Sequence, residues 1–214
     1  MRRKSILSYV RETGKPVFTT REISVLSARS VSAVTQALNS LAKDEVIVKM
    51  HRGIWAEKNS AAISPYAIVP YLFPRNRAYI SFVSALHIHG IVEQIPQITA
   101  LASTAHSRTI RTRSGVFEAH RIAPAFFDGF SWHNGGGGFL IADPEKALID
   151  CLYLSAYKKK YFGHFPELSF PAAFSIKKVN FWVSRIPSPN TRTYVKKQLD
   201  RLRKRGRLPF SRSK

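Results

Sequence analysis

The chain has 214 residues and a formal net charge of +21 at pH 7. Hydrophobic residues make up 44% of it and aromatic residues 12%, which is enough to build a core and excludes a wholly disordered chain. No apolar run is long enough to cross a bilayer, and no apolar signal segment follows the basic N-terminus. The single cysteine, Cys151, excludes an internal disulfide and a cysteine-based zinc site. We therefore expect a cytoplasmic protein.

The excess positive charge is concentrated at the two ends of the chain, and mostly at the C-terminal end. Residues 1–60 contain eleven Lys/Arg against five Asp/Glu, and residues 161–214 contain thirteen against two. Such an excess attracts polyanions, with nucleic acid as the first candidate and an anionic membrane surface as the second. A generally basic proteome or a solubility feature is the alternative explanation.

The N-terminal sequence predicts two short helices. The first covers residues 5–13, and an extended segment at 17–19 follows it. Thr19 and Glu22 form a capping-box pattern at the start of the second helix, which ends near Ser27. We expect this second helix to bury three apolar residues: Ile23, Val25 and Leu26.

A third helix and a hairpin complete the N-terminal segment. The helix is predicted from about Val31 to Lys43, with four apolar residues spaced to lie on one buried face: Val31, Val34, Leu38 and Leu41. Two strands at 46–50 and 54–56 follow, joined by a turn at 51–53. Three helices followed by a two-stranded hairpin is the element order of a winged helix-turn-helix.

The opposite face of the third helix carries short polar or cationic side chains. In a winged helix-turn-helix this face enters the major groove of DNA, and the hairpin touches the backbone or the minor groove. The predicted DNA-binding residues are Arg29, Ser32, Gln36, Asn39 and Lys43 on or beside the helix, with Lys49, His51 and Arg52 in the hairpin. The alternative is a small helical domain that packs against another protein.

The middle of the chain predicts an α+β domain with a mainly antiparallel sheet. A linker at 59–62 precedes it, and the expected elements are a short helix at 65–73 interrupted by Pro70, a helix at 79–88, strands at 98–103, 108–113, 116–122, 130–132 and 139–142, and a helix that begins at Pro144. Asp143 is its expected N-cap, with Glu145 in its first turn.

The whole chain is therefore assigned to the α+β class. Its parts are a winged helix-turn-helix at 1–58, an α+β domain at 62–160 and a basic C-terminal extension at 161–214.

Two features of the middle segment resemble metal or phosphate sites. His87 and His89 would point apart on a helix, because positions i and i+2 lie about 200° apart, and no third ligand is evident. The glycine-rich stretch at 134–138 lacks the Lys-Ser/Thr pair of a P-loop, so a hairpin tip explains it better. We expect no metal site and no cofactor.

Two further features resemble catalytic sites. Asp143, Glu145 and Lys146 suggest a metal-dependent nuclease, but helix capping explains the two carboxylates without catalysis. Cys151 lies on the apolar side of its helix and is expected to be a core thiol. We therefore expect no enzymatic activity.

The C-terminal segment predicts two helices, at 175–185 and at about 191–205. The second has a narrow apolar stripe of Val195, Leu199 and Leu202, and we expect Asn190 or Thr191 to cap it. Its basic side chains are predicted auxiliary phosphate contacts: Lys196, Lys197, Arg201, Lys204 and Arg205. The alternatives are an amphipathic helix on an anionic membrane, for which the stripe is narrow, and a solvated face without a partner.

Two sequence strings of the middle segment resemble the AbiEi-type antitoxins. They are YISFVSALHIHGIVEQIP at 79–96 and IADPEKALID at 141–150. The N-terminal segment, which ends in RGIW at 52–55, is similar to the winged helix of that family. The resemblance covers roughly residues 5–155 and does not extend to the basic C-terminal segment.

The resemblance implies a transcriptional regulator that represses its own type IV toxin–antitoxin operon by binding inverted repeats in double-stranded DNA. It also implies that the protein counters a nucleotidyltransferase-like toxin without forming a stable complex with it. The second domain would act in antitoxicity and assembly. The chain would be a monomer in solution or a dimer on DNA. In the matching winged helix, DNA contact transfers to Arg29, Ser32, Gln36, Asn39 and Arg52. The alternatives are a winged-helix regulator with a ligand-sensing second domain, and a nuclease.

Overall fold

The computed structural model describes residues 4–58, 64–134, 137–157, 160–205 and 208, with the backbone alone at 160 and 161. The chain is a mixed α+β protein of two compact units. The first consists of Met1–Arg75, Arg111–Gly115 and His133–Phe139, and the second of Asn76–Ile110, Val116–Trp132 and Leu140–Lys214. The C-terminal helices therefore belong to the second unit. The linker predicted at 59–62 lies outside the described residues.

The first unit contains helices and a small antiparallel sheet. The helices are α1 (Ile6–Glu12), α2 (Thr20–Ser27), α3 (Val31–Lys43) and, after a 3-10 turn at Pro65–Ile68, α4 (Val69–Leu72). The sheet has the order β1-β3-β2, from β1 (Val17–Thr19), β2 (Ile47–His51) and β3 (Ile54–Glu57). The first three helices and the hairpin lie within about two residues of their predicted positions. The extended segment before α2 adds a third strand to the hairpin.

Side-chain caps explain where the helices of the first unit begin. The Thr19 hydroxyl accepts the Glu22 N–H at 3.1 Å, and the Glu22 carboxylate accepts the Thr19 N–H at 2.7 Å. This reciprocal pair is the predicted capping box, and it satisfies two N–H groups that the helix leaves unpaired. At the start of α3, the Ser30 hydroxyl accepts the Ala33 N–H at 3.2 Å.

The core of the first unit is small and is built from Ile6, Val10, Phe18, Ile23, Val34, Leu38, Ile47 and Trp55. The predicted burial of three further residues is wrong, since Val25 is 74% exposed, Leu26 52% and Val31 54%. On a helix, Val25 lies about 200° from the buried Ile23, so both cannot face the core. Val31 is the first residue of α3 and precedes the turn that packs through Val34.

A six-stranded sheet is formed mainly by residues of the second unit. Its order is β6-β7-β5-β4-β9-β8. The strands are β4 (Ala78–Ile80), β5 (Ile98–Ser103), β6 (Arg108–Thr112), β7 (Gly115–Arg121), β8 (Phe130–His133) and β9 (Phe139–Ala142). Strand β4 pairs antiparallel with β5, but β4–β9 and β5–β7 are parallel pairs. The sheet is therefore mixed, whereas the sequence suggested a mainly antiparallel one.

The predicted helix at 79–88 begins later than expected. Residues 78–80 form β4, and the helix α5 (Phe82–Ile88) follows it. All three residues of β4 are buried. A short, continuously apolar strand has no periodicity that distinguishes it from a buried helix, which explains the error.

Three helices of the second unit pack together: α6 (Pro144–Ser155), α7 (Ile176–Ser184) and α8 (Pro189–Lys204). Every residue of α6 from Glu145 to Ser155 is buried. Ser188 caps α8, not Asn190 or Thr191, and Pro189 is its first residue. Proline is well placed at a first helical position, so it starts α8 and does not delay it. The apolar stripe of Val195, Leu199 and Leu202 is buried.

Candidate nucleic-acid interface

The outer face of α3 presents four polar side chains along one line. Ser32, Gln36, Asn39 and Lys43 are all exposed, while Val34 and Leu38 are fully buried. At 3.6 residues per turn, these four positions fall within an arc of about 60° centred opposite Val34. Short amides and hydroxyls in such a row can hydrogen-bond base edges, and the lysine can reach a phosphate.

Arg29 differs from the four residues of this row. Its side chain is half-buried, and its Nη2 donates a hydrogen bond of 2.9 Å to the Lys4 carbonyl oxygen. The arginine thus connects the α2–α3 turn to the residues before α1. A guanidinium has five N–H donors, so this bond leaves others for a phosphate.

The β2–β3 hairpin presents two of its three predicted contact residues to solvent. Lys49 and Arg52 are exposed, and the Lys49 ammonium lies 5.4 Å from the centroid of the Trp55 ring. His51 is half-buried, and its Nδ1 lies 3.2 Å from the Arg111 carbonyl oxygen. In the same unit, the Met50 carbonyl accepts the Arg113 N–H at 2.9 Å. This side of the hairpin contacts protein, so Lys49 and Arg52 are its candidate DNA contacts.

Three carboxylates of the first unit are paired with lysines: Glu12 with Lys4, Glu22 with Lys15, and Glu45 with Lys58. The hydrogen bond from Lys58 holds the pKa of Glu45 below its ordinary value. The negative charge of Glu45 is therefore balanced by the Lys58 ammonium at neutral pH. Pairing reduces the repulsion that these acids exert on an approaching phosphate.

The exposed side of α8 carries the basic residues that were predicted as auxiliary phosphate contacts. Lys196, Lys197, Arg201, Lys204 and Arg205 are all exposed, and Arg203 joins them. A groove of about 420 Å³ runs between α7 and α8, lined by Asn180, Val183, Ser184, Arg192, Lys196, Leu199, Asp200 and Arg203. The arginine and lysine side chains give this groove an excess of positive charge.

A fully buried polar cluster joins β4 to α6 and was not predicted from the sequence. The Lys146 ammonium pairs with the Asp150 carboxylate and donates to Tyr79 Oη at 3.0 Å. Asp150 also accepts the hydroxyls of Tyr79 at 3.0 Å and Ser81 at 2.7 Å. The i, i+4 spacing of Lys146 and Asp150 in the sequence is typical of an ion pair on a helix. The sequence does not predict that this pair is buried, because ion pairs at this spacing usually lie on exposed helix faces.

Burial dominates the protonation behaviour of this cluster. Desolvation lowers the pKa of Lys146, and the Asp150 carboxylate opposes that effect. Desolvation also raises the pKa of Tyr79 well above its ordinary value, and the charge of Asp150 raises it further. The ammonium lies 4.0 Å from the centroid of the Phe126 ring and 5.7 Å from that of Trp182. Because aromatic rings surround the Lys146 ammonium, we assign the cluster a structural role in holding β4 against α6.

Asp143 and Glu145 occupy their predicted positions at the start of α6, but their side chains do not cap this helix. Asp143 occupies the N-cap position of α6 but makes no hydrogen bond to the described N–H groups of its first turn. Glu145 is buried, and its Oε1 accepts the Ser175 N–H at 2.7 Å, at the start of α7. Lys146, the third residue of the suggested nuclease site, is fully buried beside Asp150. The carboxylate of Glu145 thus accepts a backbone hydrogen bond at the start of α7 and not within α6.

The remaining candidates are also held by local contacts. His87 Nδ1 lies 3.0 Å from the Val92 carbonyl oxygen, and His89 Nε2 lies 2.8 Å from that of Ala142, so the rings engage separate partners. Cys151 is fully buried, and desolvation raises its pKa well above the ordinary value. Among the described residues, no cluster of three or more His, Cys, Asp and Glu side chains could hold a metal ion.

A second cavity of the second unit has a volume of about 470 Å³. Its lining combines apolar and aromatic side chains with one arginine: Ser107, Arg121, Ile122, Ala123, Pro124, Tyr153, Leu154 and Tyr157. The volume lies within the range of about 300–1,000 Å³ that is usual for small-molecule sites.

Within the described part of the chain, no helix has the length and apolar content needed to cross a membrane. Comparison with protein-family models found no family that matches the chain, and comparison with curated proteins found no matching relative.

Proposed function

We propose that the first unit is a winged helix-turn-helix that binds double-stranded DNA. Helix α3 enters the major groove, and the β2–β3 hairpin contacts the backbone or the minor groove. The observation that carries this proposal is the row of exposed Ser32, Gln36, Asn39 and Lys43 opposite the buried face of α3. An exposed helix face that is polar, basic and free of large apolar residues suits base-edge and phosphate contacts.

The proposed biological role is that of a cytoplasmic autorepressor and type IV antitoxin. Its support is the pair of AbiEi-like strings at 79–96 and 141–150. In this proposal, two copies of the chain bind an inverted repeat and occlude the promoter. The second unit counters a nucleotidyltransferase-like toxin without a stable complex, and α8 adds phosphate contacts that carry no sequence information.

Binding of fluorescent operator DNA to purified variants tests the DNA-binding role. Gln36→Ala and Asn39→Ala are each expected to weaken binding about 5- to 150-fold, since a good base contact contributes about 1–3 kcal/mol of discrimination. Arg11→Ala removes an exposed charge from α1 and is the matched control. If the control weakens binding as much as the α3 variants do, α3 is not the reading element.

The antitoxin role requires a separate test in cells. A nucleotidyltransferase-like protein encoded beside this chain is expressed with either the wild type or the Gln36→Ala variant. We expect both to restore growth, because antitoxicity is assigned to the second unit. Persistent growth arrest with the wild type would contradict the antitoxin role and leave the DNA-binding proposal standing.

A ligand-sensing regulator is the second candidate function, and the 470 Å³ cavity beside Arg121, Tyr153 and Tyr157 favours it. An apolar lining with one arginine suits a small aromatic anion. In that case operator binding changes with a small molecule, and Arg121→Gln abolishes the response. Operator binding that is the same in cell extract before and after removal of small molecules would exclude this candidate.

A further inference from the structure

The exposed face of α7 combines one aromatic ring with cationic side chains. Phe181 is 52% exposed, although its neighbour Trp182 is buried. The residues one helical turn away from Phe181 are Lys177, Lys178, Ser184 and Arg185, and all of them are exposed. Side chains three and four positions apart are neighbours on a helix surface, so the ring lies among three cations.

The ring of Phe181 is supported from within the unit. It packs edge-on against Trp182, with ring centroids 4.9 Å apart and an interplanar angle of 73°. Trp182 is itself fixed where α7 passes residue 129, since a Cβ added at Gly129 would lie 2.4 Å from the Trp182 ring. The exposed aromatic side chain is therefore held in place at a surface.

The cationic face of α7 continues into the groove between α7 and α8. Asn180 and Ser184 line one side of this groove, and Arg192, Lys196 and Arg203 line the other. At about 100° per residue, Ser184 lies between Asn180 and Phe181 around the helix. The groove and the ring thus belong to one surface, which we call the α7–α8 surface. The Arg192 guanidinium is fixed by hydrogen bonds of 3.2 and 2.7 Å to the Ile186 carbonyl oxygen.

We propose that the α7–α8 surface binds a single strand of nucleic acid, with a base stacked on Phe181 and the adjacent phosphates along the groove. A cationic groove beside an exposed aromatic ring is the arrangement used by proteins that bind single strands without sequence preference. In a duplex the faces of internal bases are covered by their neighbours, so the ring would gain nothing from double-stranded DNA. This binding is separate from the proposed reading of duplex DNA by α3.

The test measures the affinity of the full chain for a labelled oligouridylate or oligothymidylate of about twelve nucleotides, and for a duplex of equal length. We expect the affinity for both single strands, and not the affinity for the duplex, to depend on Phe181. Phe181→Leu keeps the apolar volume but removes the π face, and we expect it to weaken single-strand binding about tenfold. Phe181→Tyr keeps the ring and is expected to retain wild-type affinity.

Two controls separate this proposal from the others. Trp132→Leu removes another exposed aromatic ring of the same unit and is expected to leave single-strand binding unchanged. Gln36→Ala is expected to weaken operator binding alone, so each proposal can fail without the other. Wild-type affinity for the single strands in Phe181→Leu, or an equal loss of duplex affinity in that variant, would overturn the proposal.

Discussion

At the scale of single residues, the ion pair of Lys146 and Asp150 is buried, which the sequence did not predict. Neither side chain is exposed, and hydrogen bonds from Tyr79 and Ser81 complete the environment of the carboxylate. Removing two charges from water is costly, and their attraction compensates only when such additional hydrogen bonds are present. The pair therefore makes the attachment of β4 to α6 sensitive to the loss of either partner.

The Lys146→Met variant tests this sensitivity. It leaves the Asp150 carboxylate buried without its cation, so we expect the free energy of unfolding to fall by about 3–5 kcal/mol. Urea denaturation followed by circular dichroism measures the change. The double variant Lys146→Met/Asp150→Leu removes both charges and is expected to lose less. A single variant as stable as the wild type would show that the pair contributes nothing.

Tyr79 links the stability of the fold to alkaline pH. In the unfolded chain a tyrosine loses its proton near pH 10, whereas burial beside Asp150 raises the pKa of Tyr79 in the folded protein. The folded state then binds more protons above pH 10, so this contribution to stability is complete below pH 10 and is lost as the pH rises further. The lowered pKa of Lys146 acts in the opposite sense and at lower pH, since it makes stability rise as the pH approaches the ordinary lysine value.

Urea denaturation of the wild type and of Tyr79→Phe at several pH values isolates this contribution. We expect the free energy of unfolding of the wild type to decrease more steeply above pH 10 than that of the variant. Parallel curves for the two proteins would contradict the assignment.

At the scale of helices and strands, the sequence predicted where the helices and strands of the first unit begin and end more accurately than it predicted which of their side chains are buried. The capping box of Thr19 and Glu22 marks the start of α2, and the regular spacing of Val34 and Leu38 marks the buried face of α3. The eight residues of α2 are too few for periodicity to identify its buried face, and Val25 and Leu26 were wrongly placed inside. In the second unit, β4 was hidden in a continuous apolar run.

The Thr19→Ala variant tests the contribution of the capping box. It removes the hydroxyl that accepts the Glu22 N–H, so we expect a loss of about 0.5–2 kcal/mol in the free energy of unfolding. Thr35→Ala is the matched control, because the Thr35 hydroxyl donates to the Val31 carbonyl within α3 and contributes little to the helix. Equal losses in urea denaturation of the two variants would show that capping is not the cause.

At the scale of the whole molecule, charge and fold were predictable to different degrees. The mixed α+β class, the row of polar residues on α3 and the basic face of α8 all follow from local spacing and composition. The neighbours of a strand, the mixed sheet and the burial of α6 from Glu145 to Ser155 depend on contacts between distant parts of the chain. No local pattern encodes those contacts, and this is why the Lys146 cluster and the α7–α8 surface emerged only with the structure.

The charge of α8 predicts a measurable salt dependence of duplex binding. Each lost phosphate contact lowers the slope of log affinity against log salt by about 0.9. For the triple variant Lys196→Gln/Lys197→Gln/Arg201→Gln we therefore expect a shallower slope, with an unchanged preference between operator and scrambled DNA. Anisotropy titrations at several salt concentrations measure the slope. An unchanged slope would remove α8 from the contacts with the duplex.

If α3 recognises DNA sequence, the protein must distinguish between two DNA fragments of equal length. Purified protein is titrated onto the DNA upstream of its own gene and onto a scrambled fragment of equal length, at low and at high salt. We predict tighter binding to the upstream fragment at both salt concentrations, with that preference lost in Gln36→Ala. Equal binding to both fragments that disappears at high salt would show that net charge alone binds DNA and that α3 recognises no sequence.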